Sequence, residues 1–223
     1  MLPRLIRKIL FQVEAGNSKM RDTEKVTVGV LALQGAFREH IKAIKRIGHN
    51  ALEVRTVEQL NGIDGLIIPG GESTTINKLL EKYGFRKALD NFYKSSKPIF
   101  GTCAGLIILS KKVTNNKFGL GYIDIIVDRN AYGRQIDSFE EYVDLKKGQN
   151  LNGSKFHAVF IRAPKIKEIG GKVEELGSYK NEVVLAREGN VLVCAFHPEL
   201  TEDLRIHQYF IDMIRKSKYH KNS

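Results

Sequence analysis

Short apolar segments alternate with helical segments from Val26 onward, and this alternation restricts the chain to an α/β fold with a mostly parallel sheet. Between the first two apolar segments, Phe37, Ile41, Ile44 and Ile47 recur at the spacing of one helix face. The strands predicted in this half of the chain are residues 26–33, 51–54, 64–68 and 97–101. We therefore expect a three-layer, flavodoxin-like sheet with helices on both faces.

Beyond residue 120 the pattern changes to short β-like segments separated by Gly and Asn turns. The strands predicted there are residues 123–127, 158–161 and 183–186, which suggest antiparallel additions to the sheet. Residues 191–196 predict a last buried strand, and residues 203–215 predict a closing helix. Ser73 follows a Pro-Gly-Gly turn at a position typical of a helix N-cap.

Composition divides the chain into three predicted parts. They are an N-terminal basic extension at residues 1–24, a single α/β domain at residues 25–217 and a basic C-terminal tail at residues 218–223. Apolar residues at helical spacing between Leu2 and Val13 predict that the extension is a short amphipathic helix or flexible. Met20 as the true start, a surface-binding helix and a targeting peptide are the alternative interpretations.

The net charge of +11 is concentrated near the ends of the chain, since residues 1–25 carry +3 and residues 205–223 carry +4. The remainder has no zinc-finger spacing, RNA-binding aromatic signature or helix-turn-helix pattern, which argues against a nucleic-acid partner. No apolar run reaches the roughly 18 residues of a membrane span. Two cysteines and no recognisable signal peptide make a cytoplasmic location the expectation.

The pentapeptide Gly101-Thr102-Cys103-Ala104-Gly105 follows a predicted strand and opens a predicted helix, which is the context of a nucleophile elbow. Its glycines permit the strained turn that lifts a nucleophile above the sheet. The helix N-terminus would also stabilise a Cys103 thiolate. The alternative is a small buried cysteine in a tight turn.

A base and an acid follow the last predicted strand in His197-Pro198-Glu199. Residues i and i+2 of an extended segment point the same way, so Glu199 can orient the ring of His197. The carboxyl ends of parallel strands share one edge, where Cys103 and His197 are expected to meet. A capped surface histidine is the alternative.

The turn Pro69-Gly70-Gly71-Glu72-Ser73 ends the third predicted strand at the same edge. Its backbone amide at Gly71, together with that of Ala104, can form an oxyanion hole. The rival interpretation is a phosphate-binding loop, but the turn lacks the lysine of a P-loop.

These three motifs, in this order, resemble those of the class I glutamine amidotransferases. Within that family the chain is most similar to the glutaminase subunits of pyridoxal 5'-phosphate synthase, from about residue 26 to about residue 216. The motifs that carry the narrower resemblance are Leu33-Gln34-Gly35, Gly71-Glu72-Ser73-Thr74-Thr75, Arg129-Asn130-Ala131-Tyr132-Gly133-Arg134-Gln135, Asp137-Ser138-Phe139, Ile161-Arg162-Ala163-Pro164 and His197-Pro198-Glu199-Leu200-Thr201-Glu202-Asp203.

The resemblance implies a class I glutamine amidotransferase fold and hydrolysis of L-glutamine to L-glutamate and ammonia through a thioester. It implies Cys103 as nucleophile, His197 as base and acid, and Glu199 as the residue that orients His197. The implied glutamine-binding residues are Gly71, Glu72, Ser73, Arg129, Ile161 and Arg162.

The resemblance also implies a partner, the synthase subunit of pyridoxal 5'-phosphate synthase, which receives the ammonia. Gln34 corresponds to a family residue at the contact with that subunit. Pyridoxal 5'-phosphate is then the product of the assembly, and neither a cofactor nor a metal is implied for this chain.

Three alternatives stay open at this stage. The chain could be the glutaminase of another amidotransferase, a stand-alone γ-glutamyl cysteine hydrolase, or a non-catalytic binding subunit. A non-catalytic subunit would be expected to lack Cys103, His197 or Glu199, and all three are present.

Overall fold

The computed structural model describes residues 24–114, 119–129, 138–146, 151 and 154–221, and for residues 220 and 221 the backbone alone. The predicted N-terminal helix therefore lies outside the described residues, as does the whole segment from Asn130 to Asp137. The boundaries predicted for the three parts of the chain stay predictions.

A nine-stranded sheet forms the centre of the fold, in the order β2-β1-β3-β4-β12-β11-β10-β7-β8. The first five strands of that order pair in parallel, and the remaining pairings are antiparallel. The strands are β1 (Thr27–Leu31), β2 (Asn50–Val54), β3 (Gly65–Ile68), β4 (Ile99–Thr102), β7 (Ser138–Leu145), β8 (Lys155–Ile161), β10 (Glu174–Tyr179), β11 (Glu182–Glu188) and β12 (Val191–Cys194). This arrangement confirms the predicted α/β class with antiparallel additions.

Three further strands form a separate small sheet in the order β5-β6-β9. They are β5 (Ser110–Val113), β6 (Ile123–Asp128) and β9 (Lys165–Ile169). The predicted strand at residues 123–127 is β6, so it joins this small sheet rather than the main one. Its partners come from residues 110–113 and 165–169, and no local pattern reveals such a pairing.

Five α-helices are described: α1 (Phe37–Arg46), α2 (Ser73–Lys82), α3 (Phe85–Lys94), α4 (Ala104–Leu109) and α5 (Arg205–Lys221). Two 3-10 helices span Val57–Gly62 and Pro198–Leu200. The predicted closing helix was too short, because α5 runs to Lys221 with no Gly or Pro to end it. Lys218 near its end lies 2.9 Å from a carboxylate oxygen of Glu24.

The central strands are buried along their whole length, as expected for parallel strands covered on both faces. Phe210 of α5 packs on Phe100 of β4 with 5.6 Å between the ring centroids. In α4 every residue is buried, so the short helix that follows Cys103 is held entirely by the core. Among the described residues, no helix is long and apolar enough to cross a membrane.

Pairing of β4 with β12 brings the two sequence motifs to one edge. Thr102 lies opposite Cys194 in the ladder, and the Cys103 amide donates a 2.9 Å hydrogen bond to the Cys194 carbonyl. The chain therefore leaves β4 at Cys103 and leaves β12 toward His197 at the same edge, together with the glycine turn after β3.

We predict that Gly105→Ala destabilises the protein by at least about 1–3 kcal/mol, because overpacking of a rigid contact costs that much. A Cβ at Gly105 would collide with the backbone carbonyl of Ile68 in β3. Relief of this contact requires α4 to move away from the sheet. Gly171→Ala is the control, because a Cβ there meets nothing within 4 Å. Urea unfolding curves with equal midpoints for the two variants would contradict this account.

Candidate active site

Cys103 sits at the apex of a strained turn between β4 and α4. Its φ of +49° and ψ of −101° lie outside the regions that most side chains adopt. The glycine at position 101 allows the turn, since a Cβ there would lie 2.6 Å from the Gly105 carbonyl carbon. This is the geometry expected of a nucleophile elbow.

His197 and Glu199 form a buried pair behind Cys103. His197 Nδ1 lies 2.7 Å from Glu199 Oε1, and the Glu199 side chain is fully buried. Burial works to lower the pKa of His197, but Cys103 and then Glu199 outweigh burial and raise that pKa to about 10. Both neighbours, Cys103 and Glu199, therefore favour the charged form of the His197 ring.

The local structure of this pair differs from the predicted one. The last strand ends at Cys194 rather than at residue 196, and Glu199 lies in the 3-10 helix that begins at Pro198. Proline favours the first position of a helix because its fixed φ already suits the helical turn. Glu199 reaches His197 from this turn, and not from an extended segment as the spacing suggested.

The glycine turn after β3 is held by three hydrogen bonds to two other parts of the chain. Gly70 N donates to Thr102 Oγ1 at 3.0 Å, and Gly70 O accepts from Ala36 N at 3.0 Å. Glu72 N donates to Gln34 Oε1 at 2.8 Å. The turn is thereby tied both to the strand that carries Cys103 and to the segment after β1.

Glu72, and not Ser73, is the N-cap of α2. Its carboxylate accepts hydrogen bonds from Thr74 N at 3.1 Å and Thr75 N at 2.7 Å, so Ser73 becomes the first helical residue. Partial burial works to raise the pKa of Glu72, but hydrogen bonds from Thr74 and Thr75 outweigh it and lower the pKa to about 2. Glutamate seldom caps through its own side chain, so the more usual Ser73 was predicted instead.

A cavity of about 530 Å³ opens in front of Cys103. Every residue assigned to glutamine binding by the sequence resemblance lines this cavity, as do the three residues Gln34, Ala104 and His197. The lining residues are Gln34, Gly71, Glu72, Ser73, Cys103, Ala104, Ile107, Arg129, Ser138, Ile161, Arg162 and His197. Of these, Ile107 received no role from the sequence, and Ser138 was part of a motif without a role of its own.

Two arginines give the cavity a cationic wall. Arg129 Nη2 lies 3.4 Å from Glu72 Oε1, and Arg162 holds a left-handed backbone with a φ of +44°. A left-handed arginine is strained and tends to occur where function requires the position. Cys103 Sγ also lies 3.6 Å from the Ile161 carbonyl oxygen, beside Arg162.

His40 and His207 are the residues near the site that sequence reasoning missed. His40 Nε2 lies 3.1 Å from Thr102 Oγ1 and 3.3 Å from Glu199 Oε2, and its Nδ1 lies 3.0 Å from His207 Nε2. Helical phase could have found His40, because it shares the buried face of α1 with Ile44. Two fully buried histidines on separate helices imply a polar cluster beneath the triad.

The family can now be identified, because residues 30–216 match the model of the SNO glutamine amidotransferase family. The chain belongs to this family. The matched residues include the turn around Cys103, the His197-Pro198-Glu199 motif and the whole glycine turn.

Relatives of this SNO-family chain match it over most of their length. It is 50% identical over 190 residues to "Pyridoxal 5'-phosphate synthase subunit PdxT" of Brevibacillus brevis, covering 85% of this chain and 97% of the relative. The protein of the same name from Pasteurella multocida is 48% identical over 196 residues, which is 87% of this chain and 100% of the relative.

Solved structures agree with the family. The crystal structure of a glutamine amidotransferase has a TM-score of 0.78 at 47% identity, covering 84% of this SNO-family chain and 98% of the other. A putative GMP synthase subunit from Thermoplasma acidophilum has a TM-score of 0.67 at 18% identity, covering 90% and 99% of the two chains. The second likeness concerns the fold alone.

We predict that Glu72→Gln lowers the free energy of unfolding by about 1 kcal/mol at pH 7, as loss of a helix cap does. The folded state lowers the pKa of Glu72, so the carboxylate stabilises the fold above its unfolded pKa, and this contribution is lost as the pH falls toward 2. The stability difference between wild type and variant should therefore shrink between about pH 5 and pH 2.

Glu168→Gln is the matched control for this prediction, because Glu168 is an exposed carboxylate on β9. Urea unfolding at several pH values measures both variants. A Glu72→Gln deficit that stayed constant down to pH 2 would contradict the assignment of the charged carboxylate as the cap.

Proposed function

We propose that this chain is the glutaminase subunit of a pyridoxal 5'-phosphate synthase, hydrolysing L-glutamine and delivering ammonia to a synthase partner. The observation that carries the proposal is the Cys103, His197 and Glu199 arrangement facing a cavity with two arginines. The identity of about 50% to PdxT proteins over nearly their whole length supports the choice of synthase.

The first half of the reaction forms a thioester. The Cys103 thiolate attacks the side-chain amide carbon of glutamine, and the negative oxygen of the tetrahedral intermediate faces the amides of Gly71 and Ala104. His197 then gives its proton to the departing nitrogen, so ammonia leaves and a γ-glutamyl thioester remains on Cys103.

The second half of the reaction hydrolyses this thioester. Neutral His197 takes a proton from water, and the resulting hydroxide attacks the thioester carbon. The C–S bond breaks, the thiolate of Cys103 is restored and glutamate departs. Glu199 keeps the His197 ring in one orientation through both halves, because its Oε1 accepts a hydrogen bond from His197 Nδ1 at 2.7 Å.

The cavity offers complementary charges for an amino-acid substrate. Arg129 and Arg162 can pair with the α-carboxylate of glutamine, and a guanidinium can do so through two hydrogen bonds. The ionised carboxylate of Glu72 lies on the same wall and suits the α-ammonium group. The side-chain amide then points toward Cys103.

A partner is needed because ammonia that reaches bulk water is protonated and loses its nucleophilicity. Gln34, beside the glycine turn, is the proposed point at which the synthase partner influences the site. Both cysteines are buried and unpaired, which favours a reducing compartment such as the cytoplasm.

Replacing Cys103 by Ala or His197 by Asn should lower the rate of glutamine hydrolysis by about 10³-fold or more, because each change removes a member of the reacting unit. Glu199→Gln should cost less, since that residue only orients His197. Glutamate release measured with the synthase present tests these variants.

Cys194→Ala is the control for the cysteine change. Cys194 is fully buried one strand away, and its thiol donates to the Phe196 carbonyl at 3.2 Å, outside the cavity. The Cys194→Ala variant should keep its glutaminase activity and lose a little stability. If the Cys103→Ala protein released glutamate at the wild-type rate, the proposed mechanism would be wrong.

We expect the free chain to be a slow glutaminase and its complex with the synthase subunit to be faster. If docking near Gln34 sets the orientation of one oxyanion donor, the activation should not exceed about 10²- to 10³-fold. Gln34→Ala removes the hydrogen bond to Glu72 N, so it should blunt the activation and weaken association. Alkylation of Cys103 by iodoacetamide should change little.

Lys172→Ala is the surface control, since Lys172 is exposed beside Asn190 at the start of β12, the end of the strand away from His197. It should leave both association and activation unchanged. Equal glutaminase rates with and without the synthase subunit, at saturating glutamine, would refute this coupling.

A further inference from the structure

The inner oxygen of Glu199 needs a hydrogen-bond donor that the triad does not supply. Glu199 Oε1 accepts from His197, but Oε2 is buried and no donor among the described residues bonds to it in good geometry. An unpaired carboxylate oxygen in a protein interior is costly. His40 Nε2 lies 3.3 Å from Oε2 and is a group that can meet this need.

The pattern of contacts selects one arrangement of protons on the two buried histidines. If His40 carried its proton on Nδ1, it would donate to His207 Nε2, and His207 Nδ1–H would be a buried donor without an acceptor. The lone pair of His40 Nε2 would then face Glu199 Oε2. With the proton on Nε2, His40 donates into the space shared by Thr102 Oγ1 at 3.1 Å and Glu199 Oε2 at 3.3 Å, and its Nδ1 accepts from His207 Nε2–H.

The second arrangement leaves unpaired a lone pair on His207 Nδ1 rather than a proton. Either arrangement leaves His207 Nδ1 without a partner among the described residues, but only the second offers a donor to the buried Glu199 Oε2. His207 then donates to His40, His40 donates toward Glu199 Oε2, and Glu199 Oε1 accepts from His197.

We propose that His40, supported by His207, is a positioning residue for the glutaminase reaction, and this inference rests on the proposed function. His40 donates its Nε2 proton to Glu199, which keeps that carboxylate charged and correctly turned toward His197. It does not line the cavity, so it acts on the reaction through Glu199 and not by contact with the substrate.

The electrostatic setting agrees with neutral His40 and His207 and an ionised Glu199. Burial lowers the pKa of His40 and, with a contribution from His40, lowers the pKa of His207 to about 3. Burial works to raise the pKa of Glu199, but the neighbouring His40 and then His197 outweigh it. The titratable groups that act on His40, His197, His207 and Glu199 are Glu199, His40, His197, Cys103 and Glu39.

Two substitutions of His40 separate a donor at Nε2 from a donor at Nδ1. In His40→Gln the side-chain amide nitrogen takes roughly the place of imidazole Nε2, whereas in His40→Asn it takes roughly the place of Nδ1. His40→Leu keeps much of the volume and removes both. The proposal requires that His40→Gln keeps glutaminase activity and that His40→Asn and His40→Leu lose most of it.

The expected result for His40→Leu and His40→Asn is a loss of about 10- to 100-fold in kcat, the range found when a residue that orients a reactive group through an intermediary is removed. KM for glutamine should stay unchanged because His40 does not line the cavity. His40→Gln should stay within about threefold of wild type. His207→Leu should resemble a weaker form of His40→Leu.

The decisive readout is the pH dependence of Cys103 alkylation by iodoacetamide without glutamine. Without its donor, Glu199 binds a proton at higher pH, and the His197 imidazolium and its thiolate partner are then less stable. The acid limb of the alkylation rate should move to higher pH by about one unit, as expected for loss of a hydrogen bond to a charged group. This readout needs no glutamine turnover, so it remains valid if the proposed function fails.

Two further variants serve as controls. His49→Leu removes a buried histidine that contacts the Val26 amide at 3.4 Å, far along the chain from the triad, and should leave the acid limb in place. Thr102→Val removes the hydroxyl between His40 and Gly70 while keeping His40 beside Glu199. Thermal melts establish that each variant is folded, and the comparison of Gln with Asn stands even if His40→Leu does not fold.

An acid limb that stays in place in His40→Leu and His40→Asn would overturn the proposal. Equal kcat values and equal acid limbs for His40→Asn and His40→Gln would overturn it as well. If Thr102→Val shifted the limb as far as His40→Leu, the effect would run through the glycine turn and not through Glu199, which also overturns it.

Discussion

The parallel pairing of β4 with β12 is the interaction on which the rest of the site depends. Both strands are buried throughout, and the ladder between them ends with the Cys103 amide bonded to the Cys194 carbonyl at 2.9 Å. Any relative movement of the chain at Cys103 and at the end of β12 would break hydrogen bonds between two buried strands. The backbone positions from which the Cys103 and His197 motifs begin are therefore set by this strand pairing.

Placing the Glu199 carboxylate in this interior has an energetic cost that its neighbours must offset. The carboxylate of Glu199 is out of contact with solvent, and its partners are the ring of His197 on one side and His40 on the other. His40 comes from α1 and His207 from α5, and both rings contact Phe100 of β4 at about 6 Å between centroids. The aromatic contact fixes the rings, and fixed rings can direct a hydrogen bond.

The glycine turn after β3 is where the cavity connects to the outer surface. Thr102, one residue before the nucleophile, accepts from Gly70, while Gln34 and Ala36 hold the other side of the turn. A shift of the segment that carries Gln34 and Ala36 would therefore move the glycine turn, because that segment bonds to Glu72 N and to Gly70 O. Glu72 adds a further constraint, because the same carboxylate that faces the cavity also caps α2.

Local sequence was sufficient for the features that depend on near neighbours along the chain. The alternation of strands and helices, the elbow around Cys103 and the His197-Pro198-Glu199 motif follow from periodicity, glycine spacing and proline, and each corresponds to an element of the structure. Their roles in glutamine chemistry came from resemblance to a family, because a side chain's chemistry alone does not specify its substrate.

Tertiary structure alone decided the features that depend on residues far apart in the chain. The separate sheet of β5, β6 and β9, the choice of Glu72 over Ser73 as cap and the 3-10 turn at Glu199 each reflect contacts that a local pattern does not encode. The pairing of His40 with His207, 167 residues away, is the clearest case. Periodicity can place each histidine on a buried helix face, but only the packing of two helices against one strand brings their ring nitrogens together beneath Glu199.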